Sequence, residues 1–347
     1  MRKLRAVSVM PIVILALVVC ASQQQASAAA PAKLTKIKVG TIPIAYMAPM
    51  YAARDKGFFA AEGLEAELQN VVGGTALIPA MEAGQFQFGQ STITTVIMAV
   101  QQGLDIKIVV GNTRSPAKPP DDQPLIIRSD SDLTDLKQLE GKRVAANTLY
   151  THNWLLLREQ MRRKGGDPGK ISFIEIPFPS QPDALLNKQV DAVLAVEPFS
   201  TFLAKTGKTK VLSYYLSDAL PNLDNAVWLG SGKWIKDHPA ETRAFIRAVS
   251  KAIDFVNSNP DAKNQIIQGF TKLNPAIIKD LTIPSYSARI NLPALRKLTE
   301  LMLQEGVLKK ALDSQTQAAL SLIQAIPQPP STSGLPPNVG RNINTTA

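Results

Sequence analysis

Cysteine is all but missing from this 347-residue chain. The single copy, Cys20, lies in an apolar N-terminal run, so nothing after it can form a disulfide, a thiolate nucleophile or a cysteine metal site. Histidine is nearly as scarce, with His152 and His238 alone, and no H-E-x-x-H, G-x-S-x-G or P-loop spacing occurs. Long hydrophobic runs are absent too. The stretch Val7 to Cys20 falls short of the roughly 20 residues a spanning helix needs, and nothing later is longer. Dense basic runs are also missing despite a formal net charge of +10. Arg162-Arg163-Lys164 is the one cluster, at a helix end where cations suit the dipole, which argues against a nucleic-acid partner. A positive balance of this size can still attract anions.

What is present begins with Arg2, Lys3 and Arg5 ahead of the apolar run and Ala26-Ser27-Ala28 after it. That order predicts a secretory signal over residues 1–28, export to the periplasm, and no transmembrane helix in the mature chain. Leu17-Val18-Val19-Cys20 approaches a lipoprotein box, but Val19 stands where a small residue belongs, so lipid anchoring is the lesser alternative. About 320 mature residues suffice for two cores held by packing alone.

The segment Lys36 to Leu68 encodes a complete strand, helix and strand. Ile37 and Val39 alternate with Lys36 and Lys38, Pro49 suits a first helical turn, Gly57 ends the helix, and Leu64, Ala66 and Leu68 alternate with Glu65 and Glu67. The return is expected to be parallel with a right-handed crossover. Ligands collect beyond the carboxyl ends of such strands, and here that place is the uncharged loop Pro43 to Met47. Further strands are expected at 86–88, 106–110, 125–127, 142–146, 171–176, 192–195 and 226–229. Helices are expected at 73–83, from 91–92 to 101, 133–139, 153–164, 181–188, 241–257 and 292–308, with 111–124 a loop. Phe245, Ala248, Val249, Ala252, Ile253 and Val256 share one helical face and read as core. A faint echo links Ala80-x-x-x-Gly84-Gln85-Phe86-Gln87 with Ala184-x-x-x-Lys188-Gln189-Val190-Asp191, each at a helix-to-strand turn. Residues 327–347, rich in Pro, Ser, Asn and Thr, read as a disordered tail.

Five blocks occur in a recognisable order: DKGFFAAEGLEAEL, ALIPAMEAGQFQFG, LEGKRVA, LLNKQVDAVLAVEPF and HPAETRAFIRAVSKAIDFVNSNP. From Lys36 to Asp313 the chain resembles the NMT1/THI5-like solute-binding proteins of ABC importers for nitrate, sulfonates, taurine and thiamine-precursor pyrimidines. The resemblance implies an α/β, type II periplasmic binding protein fold: two Rossmann-like lobes joined by two hinge strands, with a cleft between. Lobe 1 would comprise 33–125 and 228–322, and lobe 2 would comprise 126–227. It implies a monomer that captures a small organic anion, zwitterion or related heterocycle and docks on a membrane permease served by a separate ATPase subunit, with no cofactor and no reaction. Two alternatives stay open. One is a pyrimidine-synthase-like or cofactor-biosynthesis enzyme on the same fold, disfavoured because the synthase branch carries a cysteine-rich motif; the other is a sensor that presents solute.

On that resemblance, four loops that lead into helix N-termini surround the cleft: Ala45-Tyr46-Met47, Gly73-Gly74-Thr75, Ser91-Thr92 and Thr148 to Asn153. Helix N-termini offer N–H groups and partial positive charge. Gly73 and Gly74 allow close backbone approach, while Thr75, Ser91, Thr92 and Thr151 offer hydroxyls, although Ser and Thr are also the usual N-caps. His152 is a candidate donor or acceptor. Tyr46, Tyr150 and Phe178 are candidates for stacking on the solute, Trp154 reads as core, and His238 as surface. The Glu-Pro pair at Glu197 is placed by the resemblance at a lobe 2 strand end. Its carboxylate would meet either a solute amino group or a lobe residue such as Arg114, itself a candidate anion contact. A buried carboxylate beside a bare inorganic anion is costly, which favours an organic solute over nitrate.

Overall fold

A computed structural model describes residues 34–71 and 73–308, with the side chains at 74 and 75 excepted. The expected signal at 1–28, Cys20 and the expected tail at 327–347 lie outside the described residues. Eleven strands are formed among the described residues: β1 (Thr35–Thr41), β2 (Leu64–Asn70), β3 (Phe88–Thr92), β4 (Ile106–Arg114), β5 (Leu125–Arg128), β6 (Arg143–Ala146), β7 (Ser172–Glu175), β8 (Ala192–Leu194), β9 (Thr209–Ser213), β10 (Asp224–Ser231) and β11 (Ser285–Tyr286). They build two sheets, ordered β11-β4-β10-β3-β1-β2 and β7-β6-β8-β5-β9.

The two sheets share one plan. In the first, β1 is flanked in parallel by β2 and β3, and β10 runs antiparallel between β3 and β4. In the second, β6 is flanked in parallel by β7 and β8, and β5 runs antiparallel between β8 and β9. The sequence echo falls on corresponding turns. Gln85 N–H donates to Ala80 O and Gln189 N–H to Ala184 O, both at 2.9 Å, with Gly84 and Lys188 each at positive φ. One step on, the Gln87 side chain accepts from Lys38 N–H (2.7 Å), as the Asp191 side chain does from Arg143 N–H (2.8 Å).

Helix boundaries follow local chemistry. The helix Pro239–Ser258 buries Phe245, Ala248, Val249, Ala252, Ile253 and Val256, the predicted face. Phe245 stacks on Phe88 of β3 at a centroid distance of 3.9 Å, fixing the strand that ends at Ser91 and Thr92. On the other face, Gly40 and Gly89 are register partners, and the notch they leave accepts Leu77 of the helix Gly74–Glu82. A Cβ at Gly40 would lie 2.4 Å from Leu77 Cδ1, and one at Gly89 would lie 2.3 Å from Leu77 Cδ2. The notch therefore sets how closely the Gly73 turn approaches the sheet.

Several boundaries differ from the sequence expectation. β4 continues to Arg114 through the expected loop, because Gly111, Thr113 and Arg114 pair with β10. β3 lies at 88–92 rather than 86–88, since Ser91 and Thr92 pair with Val227 and Ala226 of β10. The helices Phe199–Lys205, Tyr215–Ala219, Gly232–Asp237 and Pro260–Thr271, and the strands β9 and β11, lie where none was assigned. Among the described residues no helix is long and apolar enough to cross a membrane.

Replacing Gly89 with Ala should destabilise the fold by about 1–3 kcal/mol, because Leu77 is fully buried and cannot swing aside. Urea denaturation checks this, and the cost should shrink when the same change is made in a Leu77→Ala background.

Candidate functional site

The carboxyl ends of β1, β3, β6, β7 and β8 converge on one cavity of about 50 Å³. Ile42, Ile44 and Tyr46 follow β1; Gln90, Ser91 and Thr92 end β3; and Asn147, Thr148, Thr151, His152 and Asn153 follow β6. Phe178 follows β7, Val196 follows β8, Thr95 comes from the first turn of the helix Ile93–Gln101, Ala226 from β10, and Gln123 from the segment crossing between sheets. No lining side chain carries a formal charge at neutral pH.

Of the residues expected at the site, Tyr46, Ser91, Thr92, Thr151 and His152 line this cavity. The Thr92 hydroxyl is the N-cap of the next helix, accepting from Thr95 N–H at 3.3 Å and bonding both Thr94 and Thr95 hydroxyls. Thr151 is an N-cap by position, but its hydroxyl donates to Thr148 O at 3.0 Å. Gly73 stands beside the lining, where a Cβ built on it would be in ordinary contact with Asn147 Nδ2 (3.5 Å) and Thr148 Oγ1 (3.9 Å). Gly74 opens the helix that follows, and the Thr75 side chain lies outside the described residues. Trp154 is buried in the core, packed against Tyr150, Phe173 and the Arg158 guanidinium, and Tyr150 is half exposed. His238 stacks on Trp234.

Glu197 lies outside the lining. Its carboxylate accepts from Thr201 Oγ1 (2.9 Å) and from Thr282 N–H (2.9 Å), while its backbone carbonyl accepts from Ala45 N–H (3.1 Å). These bonds join the end of β8 to two segments of the other lobe. Arg114 is engaged elsewhere, donating to Asp224 at 2.8 Å and to Arg289 O at 2.7 Å.

Sequence reasoning missed Gln90, Thr95 and Gln123. Gln90 had a signal, since it precedes two expected site residues on a strand end; Gln123 had none, lying in a Pro- and Asp-rich connection. Four lining residues each bury one polar atom without a partner: Gln90 Oε1, Ser91 Oγ, His152 Nδ1 and Asn153 Oδ1. Buried polar atoms are rarely left so, and four around one space mark a place built for a polar guest.

A family model described as NMT1/THI5 like matches residues 44–263. The chain belongs to the NMT1/THI5-like family. A second, short match, to a motility-protein model, covers residues 304–346, nearly all of them outside the described ones. Among curated relatives, the chain is 22% identical to the taurine-binding periplasmic protein of Escherichia coli K12 over 64% of this chain and 67% of that one. It is also 22% identical to the formylaminopyrimidine-binding protein of Halalkalibacterium halodurans, over 69% and 71%. Its fold is that of the ligand-binding component of an ABC-type import system from Staphylococcus aureus, at TM-score 0.71 and 19% identity, covering 84% of this chain and 99% of that one. The two sheets are thus the two lobes of a type II periplasmic binding fold, as the resemblance implied.

In this NMT1/THI5-like protein, two titratable groups beside the cavity are shifted in opposite senses. Burial pushes Asp122 up to about 7, with Asp121 and Glu197 adding to the rise and the Tyr46 hydrogen bond opposing it. Burial lowers His152 to about 3, so its ring is neutral. Between about pH 4 and 7 the native state holds a proton on Asp122 that the unfolded chain has lost, so this group makes stability fall as pH rises. Between about pH 3 and 6.5 the unfolded chain protonates His152 and the native state does not, so this group makes stability fall as pH drops. The two slopes offset where they overlap. Relative to wild type, Asp122→Asn should therefore gain stability with rising pH from 4.5 to 6.5, and His152→Gln should lose it. Each difference should approach about 1.4 kcal/mol per pH unit, read from urea melts at several pH values.

Proposed function

We propose that this protein is an extracytoplasmic solute-binding receptor of an ABC importer, exported to the periplasm. It captures a small organic anion, zwitterion or related heterocycle between its lobes and delivers it to a membrane permease whose ATPase is a separate subunit. The observation that carries this is the uncharged cavity at the strand ends of both sheets, lined by residues that bury polar atoms without partners. A guest that bonds to atoms of both lobes favours the closed arrangement by the difference in its contacts with the closed and open states. Nothing in the lining supplies a nucleophile paired with a base: Ser91 Oγ has no partner, and His152 Nε2 is engaged with Gln123. Binding without turnover is the activity these residues support.

The relatives support the class of guest, one being named for taurine and one for formylaminopyrimidine. The first turns of the helices Ile93–Gln101 and His152–Arg163 lie at the cavity and can meet a sulfonate or carboxylate end with backbone N–H groups. Ile42, Ile44, Phe178 and Val196 can cover an apolar body.

A thermal-shift panel of taurine, alkanesulfonates, aromatic carboxylates, pyrimidines and nitrate tests the proposal. A true solute at 100 times its Kd should add about 2.7 kcal/mol of stability. Ser91→Ala or Asn153→Ala should weaken that solute about tenfold, a loss of about 1.4 kcal/mol. A purified protein that instead converts a panel member to product would overturn the receptor assignment.

A further inference from the structure

A chain of hydrogen bonds runs from the crossing segment to the cavity wall. Asp122 Oδ2 accepts from the Tyr46 hydroxyl, and the Tyr46 oxygen accepts from Gln123 Nε2 and, at 3.3 Å, from Asn225 Nδ2. Gln123 Oε1 then faces His152 Nε2 at 3.1 Å, while Nδ1 of the same ring, which lines the cavity, is buried with no partner. Asn225 is itself oriented, because its Oδ1 accepts from the Thr113 hydroxyl.

Donor and acceptor roles propagate along this chain once the Asp122 end is set. An ionised Asp122 can only accept, so the phenol proton is committed to it. Gln123 must then present its NH₂ to the phenol oxygen. Its carbonyl is left for the histidine. A carbonyl cannot donate, so His152 Nε2 must carry the hydrogen and Nδ1 must be a bare lone pair. Burial, which keeps the ring neutral, preserves that acceptor through the physiological range.

We infer that Asp122, Tyr46 and Gln123 act as positioning residues that fix His152 as the Nε2–H tautomer, so that Nδ1 demands an N–H or O–H donor from the solute. This rests on the receptor function proposed above and narrows its substrate class. A solute whose only polar groups are acceptors, such as a bare anion, leaves Nδ1 unsatisfied and is disfavoured, whereas an amine, amide or amino-substituted heterocycle fits.

Long-range 1H–15N spectra of the 15N-labelled protein test the tautomer directly without any solute. Only two histidines contribute, and a His238→Gln variant assigns them. His152 should show a pyridine-like Nδ1 and a pyrrole-like Nε2. In Gln123→Leu this fixed pattern should relax toward a mixture, while Gln123→Glu, whose carboxylate can only accept, should keep Nε2–H and raise the His152 pKa. A pyridine-like Nε2 in the wild type, or an unaltered pattern in folded Gln123→Leu, would overturn the relay. The donor requirement is read separately by thermal shift with two matched pairs, taurine against ethanesulfonate and 4-aminopyrimidine against pyrimidine. The donor-bearing member should stabilise at least tenfold more tightly, and equal binding within a pair would overturn the requirement while leaving the receptor function intact. Failure of all four to bind would count against the receptor function, with the tautomer spectrum still deciding the relay.

Discussion

The hydroxyl of Tyr46 is shared by three segments. Asp122 and Gln123 come from the crossing between β4 and β5, Asn225 comes from β10 beside the second crossing, and Tyr46 itself ends the loop after β1. Its backbone is held as firmly, with Asn112 Nδ2 donating to Tyr46 O at 3.1 Å and the Tyr286 hydroxyl donating to the neighbouring Ala45 O at 2.7 Å. Each buried polar group stripped of its partner costs about 1–3 kcal/mol, so the hub constrains both crossings more tightly than apolar packing of the same size would. The position of His152, and with it one wall of the cavity, follows from this hub through Gln123.

The opposite condition holds a few ångströms away. Gln90, Ser91, His152 and Asn153 line the cavity and each buries an unmatched polar atom, whereas the Tyr46 hydroxyl is engaged by Asp122, Gln123 and Asn225. Satisfied polar networks fix a geometry, and unsatisfied ones create a demand for a guest. The boundary between the two runs through a single side chain, His152, bonded at Nε2 and bare at Nδ1. Glu197 is outside the lining, bound to Thr201 and Thr282, and Arg114, also outside it, is paired with Asp224.

Much of this was legible in the chain because it is local. The alternation in Lys36–Val39 and Leu64–Leu68, the stripe through Phe245 and Val256, and the Ser and Thr residues at helix starts each carry their meaning within a few positions. The Ala80 and Ala184 echo was legible too, and its repeated side-chain bonds from Gln87 and Asp191 give it a structural basis. What escaped is non-local. Gln123 and Asn225 acquire roles only when Tyr46 is brought to them across 77 and 179 positions. Gly111 to Arg114 reads as loop until β10 returns, more than 100 residues later, to pair with it. Glu197 reads as a cleft carboxylate until the segment at Thr282 closes over it.

Under the proposed receptor function, closure is driven by differential binding of the solute. Bonding a guest to the four unmatched atoms is worth about 0.5–1.5 kcal/mol each, which places the polar contribution in the range of a few kcal/mol. Moving a two-state equilibrium from 1:99 to 99:1 takes about 5.5 kcal/mol of differential binding. Polar contacts reach that figure only at the top of their range. The remainder falls to the apolar wall of Ile42, Ile44, Phe178 and Val196, where burial yields roughly 25 cal/mol per Å². A guest that is polar throughout satisfies the atoms but forgoes the wall, and one that is wholly apolar leaves His152 Nδ1 and its companions stranded. Under the proposed receptor function, such a lining would select a compact solute with a donor-bearing polar end and a flat or aliphatic remainder, by balance rather than by any single contact.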